Sequence, residues 1–298
     1  MTIKEASNKG LKLLKEPCDT ASIDTPSLDA ALLLSETFGV SREELIMRGN
    51  EDISEKDWKK FNKLIERRRS GESIAYILGR KEFRLLEFAV NSNVLVPRPD
   101  TETLVEAALS RIDKLIETGI FKTSVLDLCT GSGAIAISLK HERPHLRVSA
   151  ADISKEALKL ASKNSRHLLK GITLGTPVKF FESNLFDSIP QKSGGFDIIV
   201  SNPPYVPTPE LKTLAPEVRR EPSLALDGGK DGLKYIKKII PDARHFLKEG
   251  GYLFLEAQGD QMQKIKLLLE KTGYSEVKIY KDLSGSERVI SARLTACS

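Results

Sequence analysis

The sequence predicts an α/β protein: a doubly wound, mostly parallel sheet, preceded by a small all-helical N-terminal domain and joined to it by a β-hairpin. Three observations carry this. From residue 123 onward, short and almost continuously apolar runs alternate with helical stretches. Runs of that kind suit strands covered on both faces, the usual condition of parallel strands. Before residue 80 the apolar residues recur at helical spacing instead, and the two halves are linked by a stretch of alternating apolar residues that ends at prolines.

Within the first 80 residues, Leu28, Ala31, Leu32, Leu33 and Leu34 crowd one segment that stops near Gly39. Ser41 and Glu44 have the spacing of a capping box, a hydroxyl at the N-cap and a carboxylate three residues on. Ser54 opens a further helix carrying Trp58, Phe61, Leu64 and Ile65. It ends in Arg67, Arg68 and Arg69 before Gly71, with cations where the helix dipole favours them. The triplet reads as a solvated helix end rather than a nucleic-acid patch.

Phe83, Leu85, Phe88, Val90, Val94 and Val96 then suggest two short strands over 81–97. Pro97 and Pro99 break the chain, and Asp100 or Thr101 is expected to cap a helix running to Gly119. Strands are expected at 124–128, 147–151, 178–181, 196–200 and 252–256, and helices at 134–141, 155–169 and 233–247. The domain boundaries implied are 1–80, 81–100 for the linking hairpin, and 101–298.

Composition narrows the function. With 40% hydrophobic and 29% charged residues among 298, the chain is neither a disordered tail nor a fibrous repeat. No run approaches the roughly 20 apolar residues of a membrane span, and the first 17 residues carry too many charges for a secretory signal. A cytoplasmic location is the expectation. Cys18, Cys129 and Cys297 are far apart and offer neither a disulfide framework nor metal-ligand spacing. The net charge is 46 − 41 = +5, while residues 1–80 hold fourteen basic and fourteen acidic side chains, so the excess lies beyond them. His141-Glu142-Arg143-Pro144-His145 imitates a zinc motif, but Pro144 interrupts the helix that would align both histidines. No metal is expected.

Two motifs carry the chemistry. Asp127-Leu128-Cys129-Thr130-Gly131-Ser132-Gly133 joins the first strand of the α/β half to a helix start. Gly131 and Gly133 permit close approach of a ligand to backbone, and the helix start behind them offers unpaired N–H groups. Asp152, at the end of the second strand, can accept from ribose hydroxyls, whether of a nicotinamide dinucleotide or of S-adenosylmethionine. Downstream, Ser201-Asn202-Pro203-Pro204-Tyr205 ends the fourth strand. Two prolines stiffen it and remove two donors. The Asn202 side-chain oxygen and the Pro203 carbonyl can then accept both hydrogens of a planar –NH2 group, with the Tyr205 ring packing on the group that bears it.

The glycine turn resembles motif I of class I, Rossmann-like S-adenosylmethionine-dependent methyltransferases, with Cys129 in place of the first glycine. Asn202 to Tyr205 resembles the signature of amino-group methyltransferases. The segments Glu72–Phe83, Val96–Glu102, Glu221–Leu233, Gly251–Glu256 and Asp282–Val289 are similar to the HemK/PrmC family of N5-glutamine methyltransferases. The resemblance implies methyl transfer from S-adenosyl-L-methionine, leaving S-adenosyl-L-homocysteine. The acceptor it implies is the Gly-Gly-Gln glutamine of class I peptide chain release factors. It implies that Cys129, Thr130, Gly131, Ser132 and Gly133 wrap the cofactor, that Asp152 holds its ribose, and that Leu185 lies near its adenine. Asn202, Pro203, Pro204 and Tyr205 then grip the glutamine amide, Asn202 also bordering the cofactor. The N-terminal domain would dock the partner protein. A monomer that binds neither membrane nor nucleic acid directly is expected. A nucleic-acid amino-methyltransferase, acting on adenine N6 or guanine N2, is the alternative, and a nicotinamide-dependent dehydrogenase a more distant one.

Overall fold

The computed structural model describes residues 1–16, 23–172, 176–190 and 195–295, so Cys18 and Cys297 lie outside the described residues. The chain forms two units, one of residues 1–80 with 213–220, the other of 81–212 with 221–298.

The first unit holds helices α1 (Ile3–Lys15), α2 (Pro26–Phe38), α3 (Arg42–Met47), α4 (Glu55–Arg69) and α5 (Ile74–Leu78). Thr2 with Glu5, and Ser41 with Glu44, close capping boxes at the starts of α1 and α3. Leu33, Leu34, Phe61 and Ile65 are buried at its centre. A Cβ on Gly10 of α1 would stand 2.5 Å from the Phe61 ring, so the absent side chain admits α4. The arginine triplet departs from the expected solvated helix end. Arg68 is buried, bound to Asp29 at 2.6 Å and Glu217 at 2.7 Å. Arg67 pairs with Glu72 and Arg69 with Glu66.

At the start of the second unit, β1 (Arg80–Phe83) and β2 (Leu86–Ala89) form a two-stranded sheet. Their turn residues, Arg84 and Leu85, both have positive φ (48° and 61°), as a tight hairpin demands. The hairpin is shorter than the alternation suggested, because 90–98 leaves the strand pattern. A single 3₁₀ turn, Pro99–Thr101, leads into α6 (Glu102–Glu117). Contrary to expectation, Thr101 is helical in φ and ψ and makes no capping bond.

The main sheet then alternates with helices: β3 (Ser124–Leu128), α7 (Ala134–Glu142), β4 (Arg147–Asp152), α8 (Lys155–Leu168), β5 (Lys179–Glu182), β6 (Phe196–Ser201), α9 (Ile236–Ala243), β7 (Leu247–Glu256), α10 (Met262–Lys271), β8 (Tyr274–Lys281) and β9 (Glu287–Leu294). Two short helical turns, Pro216–Arg219 and Ser223–Leu226, lie between β6 and α9. The strand order is β5-β4-β3-β6-β7-β9-β8. All neighbours from β5 to β7 are parallel, and β9 is antiparallel to both β7 and β8. This is the class I methyltransferase architecture, with a helical N-terminal region before it.

Two stretches depart from the expected elements. The helix expected over 233–247 is shorter, because 244–246 form a turn and Leu247 already begins β7. The C-terminal α10, β8 and β9 complete the sheet edge, and β8 has no apolar run because much of it meets solvent.

Period-two alternation distributes the core. Val125, Ile198 and Val200 pack with Leu104, Ile112 and Ile137 from α6 and α7. Leu126, Leu128 and Ile199 point to the other face, against Ile236 and Ile240 of α9 and Ile265 of α10. The order reverses between β3 and β6, and a crevice opens there at the carboxyl ends of the strands. Among the described residues no helix is long and apolar enough to cross a membrane.

Candidate active site

The turn after β3 is held shut from beneath. Asp127 is fully buried, and its Oδ2 accepts from the Thr130 hydroxyl at 2.6 Å and the Ala136 N–H at 3.2 Å. Its Oδ1 has no partner. Burial, the dominant influence, pushes this carboxyl up to about 7. The turn itself runs through three left-handed residues, Cys129 (φ 60°), Gly131 (54°) and Gly133 (84°). A Cβ on Gly133 would meet Ile137 Cδ1 at 2.7 Å, so glycine there lets α7 start beside the strand. A Cβ on Gly131 would meet no protein atom within 4 Å, and the space beyond it is the crevice. Burial raises the Cys129 thiol, so it is a packing group and not a nucleophile at neutral pH.

Asp152 ends β4 at the crevice wall. Its Oδ2 accepts from Gly131 N–H and its Oδ1 from Ser154 N–H, each at 2.9 Å. Burial raises its pKa, and these backbone donors oppose the rise. Leu185 lines the same crevice at φ 52°, in a turn closed by the Ser183 hydroxyl bonding to its carbonyl at 2.8 Å.

Asn202 lies in the wall at the end of β6, and its Nδ2 donates to Thr101 Oγ1 at 3.2 Å. Pro204 also lines the crevice, whereas Pro203 is buried behind it. Tyr205 points away from the crevice lining, and its hydroxyl donates to Glu256 Oε1 at 3.2 Å. Glu256 is fully buried, Oε2 has no partner within hydrogen-bonding distance, and burial pushes its carboxyl up to about 7. The nearby Thr101 hydroxyl and the Arg288 charge offset part of that rise.

The crevice thus gathers Cys129, Thr130, Gly131, Ser132, Asp152, Leu185, Asn202 and Pro204, while Gly133, Pro203 and Tyr205 stand behind its surface. Three supporting residues had no role in the sequence reading. Asn164 of α8 donates to Ser132 O and Ala89 O and accepts from Ala89 N–H, tying hairpin and glycine turn together. Glu221 accepts from Val96 N–H at 3.1 Å and Arg98 at 2.6 Å, holding the wall formed by 94–98. Ile153 adds a half-exposed apolar surface. Neither the lone Asn164 nor the Glu221 that opens a family-like segment states its role in sequence; their buried polar partners do. The zinc-like pentad is dispersed: α7 ends at Glu142, which pairs with Arg84, and Arg143 pairs with Asp113.

The PrmC N-terminal domain family matches residues 8–79, and the methyltransferase small domain family matches 105–217. A release factor glutamine methyltransferase of Burkholderia pseudomallei is 40% identical over 268 residues, covering 90% of this chain and 92% of its own. The chain belongs to the release factor glutamine methyltransferase family. Another member, from Coxiella burnetii, is 38% identical over 294 residues, 98% of this chain and 99% of its own. Among solved structures, the hMettl16 catalytic domain in complex with a 3′UTR hairpin matches 70% of this chain and 75% of its own. At 15% identity and a TM-score of 0.54 it shows the fold alone.

As a member of the release factor glutamine methyltransferase family, the chain is an S-adenosylmethionine-dependent protein-glutamine N-methyltransferase. The crevice fits that cofactor. Gly131 leaves an open cradle, Asp152 keeps acceptor capacity at the wall, and Leu185 with Ile153 offers apolar surface for a flat ring.

Proposed function

We propose that the chain methylates the side-chain amide nitrogen, N5, of the glutamine in the Gly-Gly-Gln motif of class I peptide chain release factors. The relatives named for release factors support the substrate class, and the held amide of Asn202 supports the chemistry. With Nδ2 committed to Thr101, Oδ1 is the acceptor that Asn202 has to spend. The carbonyl of the next residue, Pro203, whose ring is buried behind the crevice surface, is the second acceptor in this reading, in a segment that two prolines keep rigid.

An amide nitrogen is a poor nucleophile because its lone pair is delocalised. Two acceptors drawing on its hydrogens favour the positive charge that develops on nitrogen in the transition state, and they fix its direction of attack. S-adenosylmethionine, when bound, supplies the electrophilic methyl group. Cys129 to Gly133, Asp152 and Leu185 bind it in this reading, and Asn202 to Tyr205 hold the amide. Tyr205 contributes by bracing the segment through Glu256 rather than by stacking. The N-terminal unit docks the protein substrate, and the enzyme works as a cytoplasmic monomer that needs no nucleic acid.

The test is methylation followed by mass spectrometry. An unmethylated release factor, its Gly-Gly-Ala variant, bulk RNA and DNA are each offered with S-adenosylmethionine. A gain of one CH2 confined to the glutamine-bearing factor supports the reading. Label entering nucleic acid, with the factor unmodified, refutes it.

A further inference from the structure

The segment from Asn202 to Tyr205 behaves as a short stiff rod. Pro203 and Pro204 fix two φ angles and hold Asn202 and Pro203 extended, so its carbonyls turn together. Where its acceptors point therefore depends on how the two ends are held. One end is Ser201, paired with Leu128 and Leu255 in the sheet and bonded through its hydroxyl to Leu128 O at 2.9 Å. The other end is Tyr205, beyond the last residue of β6.

The Tyr205 carbonyl is taken by a side chain from far along the chain. Gln261 closes the 3₁₀ turn Gly259–Gln261 between β7 and α10 and is buried. Its Nε2 donates to Tyr205 O at 2.9 Å and reaches Asp231 O at 3.5 Å, while its Oε1 accepts from Gln258 N–H at 3.1 Å. This amide fits one way only, because turning it over would set its oxygen against two carbonyls. The Tyr205 hydroxyl is bound to Glu256, so both polar ends of Tyr205 are held by the stretch 256–261.

A second stretch presses on the same rod. Val206 N–H donates to Leu226 O at 3.0 Å, and Gly228 N–H donates to Val206 O at 2.8 Å. A Cβ on Gly228 would stand 2.8 Å from Pro204 O, and one on Gly232 would overlap both Tyr205 O and Gln261 Nε2. The turn 226–232 can lie against the segment only because those side chains are absent. Turn and segment are both loop, and the Gln261 amide ties them to the connection that follows β7. An apolar side chain of the same length would fill the space equally well; what the amide adds is direction.

We propose that Gln261 is a positioning residue for methyl transfer: by holding the Tyr205 carbonyl it fixes the far end of the Asn202–Tyr205 segment, and with it the direction in which Asn202 Oδ1 and the Pro203 carbonyl are presented. Gln261 does not line the crevice, so it acts through the segment alone. This inference rests on the reading of Asn202 as an amide acceptor and names what sets its direction.

The test compares Gln261→Met, Gln261→Glu and Asn202→Ala, using an unmethylated class I release factor and S-adenosylmethionine. Turnover is expressed per S-adenosylhomocysteine site counted by calorimetry, so unfolded protein does not enter. Methionine keeps the length and removes the donor, and should lower kcat by about tenfold, the scale of one lost hydrogen bond. KM for the factor and S-adenosylhomocysteine affinity should stay within about twofold, since no ground-state contact in the crevice changes. Glutamate keeps an acceptor for Gln258 N–H but can donate to Tyr205 O only when protonated. Its kcat relative to wild type should therefore be highest near pH 5 and fall about tenfold toward pH 9, the span in which a buried glutamate loses its proton.

If Gln261→Met turns over like wild type while Asn202→Ala is impaired, the clamp is wrong and the acceptor reading stands. If KM or S-adenosylhomocysteine affinity worsens as much as kcat falls, Gln261 shapes the binding surface and the positioning role is wrong. A Gln261→Glu ratio that is flat with pH also overturns the clamp, because packing alone does not depend on a donated proton. Wild-type turnover in Asn202→Ala overturns the acceptor reading itself. Should Gln261→Met not fold, the pH dependence of Gln261→Glu decides alone.

Discussion

Asn202 and Asp152 make separable demands on the reaction. Asn202→Ala removes one acceptor that matters most in the transition state, so turnover should fall by about 10²-fold or more. Cofactor affinity should be largely retained, and single-turnover kinetics beside calorimetry would separate the two effects. Asp152→Ala removes a wall acceptor and the partner of Gly131 N–H, so cofactor affinity itself should drop in calorimetry; unchanged affinity would refute its ribose role. The buried carboxyls make a further prediction. Burial raises both Asp127 and Glu256 to about 7, from ordinary values of 3.8 and 4.5. The folded state therefore holds their protons more tightly than the unfolded chain does. That contribution to stability is fully present below the ordinary carboxyl values and is lost as pH rises through about 7. In thermal denaturation of the cofactor-free protein, the contribution of these two groups declines from acid to neutral pH, against the opposite contribution of carboxyls held low by their partners, such as Asp113 and Glu276. Glu256→Gln should make the decline shallower, by at most about 1.4 kcal/mol per pH unit. A slope unchanged in that variant would show that Glu256 titrates normally.

Among the elements, contacts that depend on small residues are the most sensitive. Gly10 sits where α1 meets α4, and an added Cβ must displace the Phe61 ring. Gly10→Ala should lower stability by about 1–3 kcal/mol despite alanine's better helix propensity, because overpacking outweighs that gain of about 1 kcal/mol. A calorimetric Tm at or above wild type would show that the ring yields freely. The hairpin turn and the glycine turn illustrate how strain hides from sequence. Arg84, Leu85, Cys129 and Leu185 all adopt left-handed φ without being glycine or asparagine. No residue type at those positions announces the conformation, and the surrounding strands and bonds impose it. By contrast, the capping boxes at Thr2 and Ser41 and the left-handed Gly39 follow from local chemistry. Element boundaries failed where an apolar run fits both periods, as at the junction of α9 and β7.

For the molecule as a whole, docking by the N-terminal unit predicts a difference between substrates. Deleting residues 1–80 should raise KM for a folded release factor far more than for a short Gly-Gly-Gln peptide, and equal effects in a methylation assay would count against docking. The sequence by itself determined the alternation of strands and helices, the glycine turn and the Asn202–Tyr205 segment. Each is a local matter: period, backbone freedom and proline stiffness act within a few residues. Only the tertiary structure decided that Arg68 is buried between Asp29 and Glu217, that Asn164 ties the hairpin to the glycine turn, and that Glu221 holds the wall at 96–98. It alone placed Thr101 beside the Asn202 amide and Glu256 beneath the Tyr205 hydroxyl. These are lone polar residues, distant along the chain, whose roles come from partners that strand order and register bring to them. A buried charge or amide must find its partner in space, and no spacing in the sequence records where that partner is.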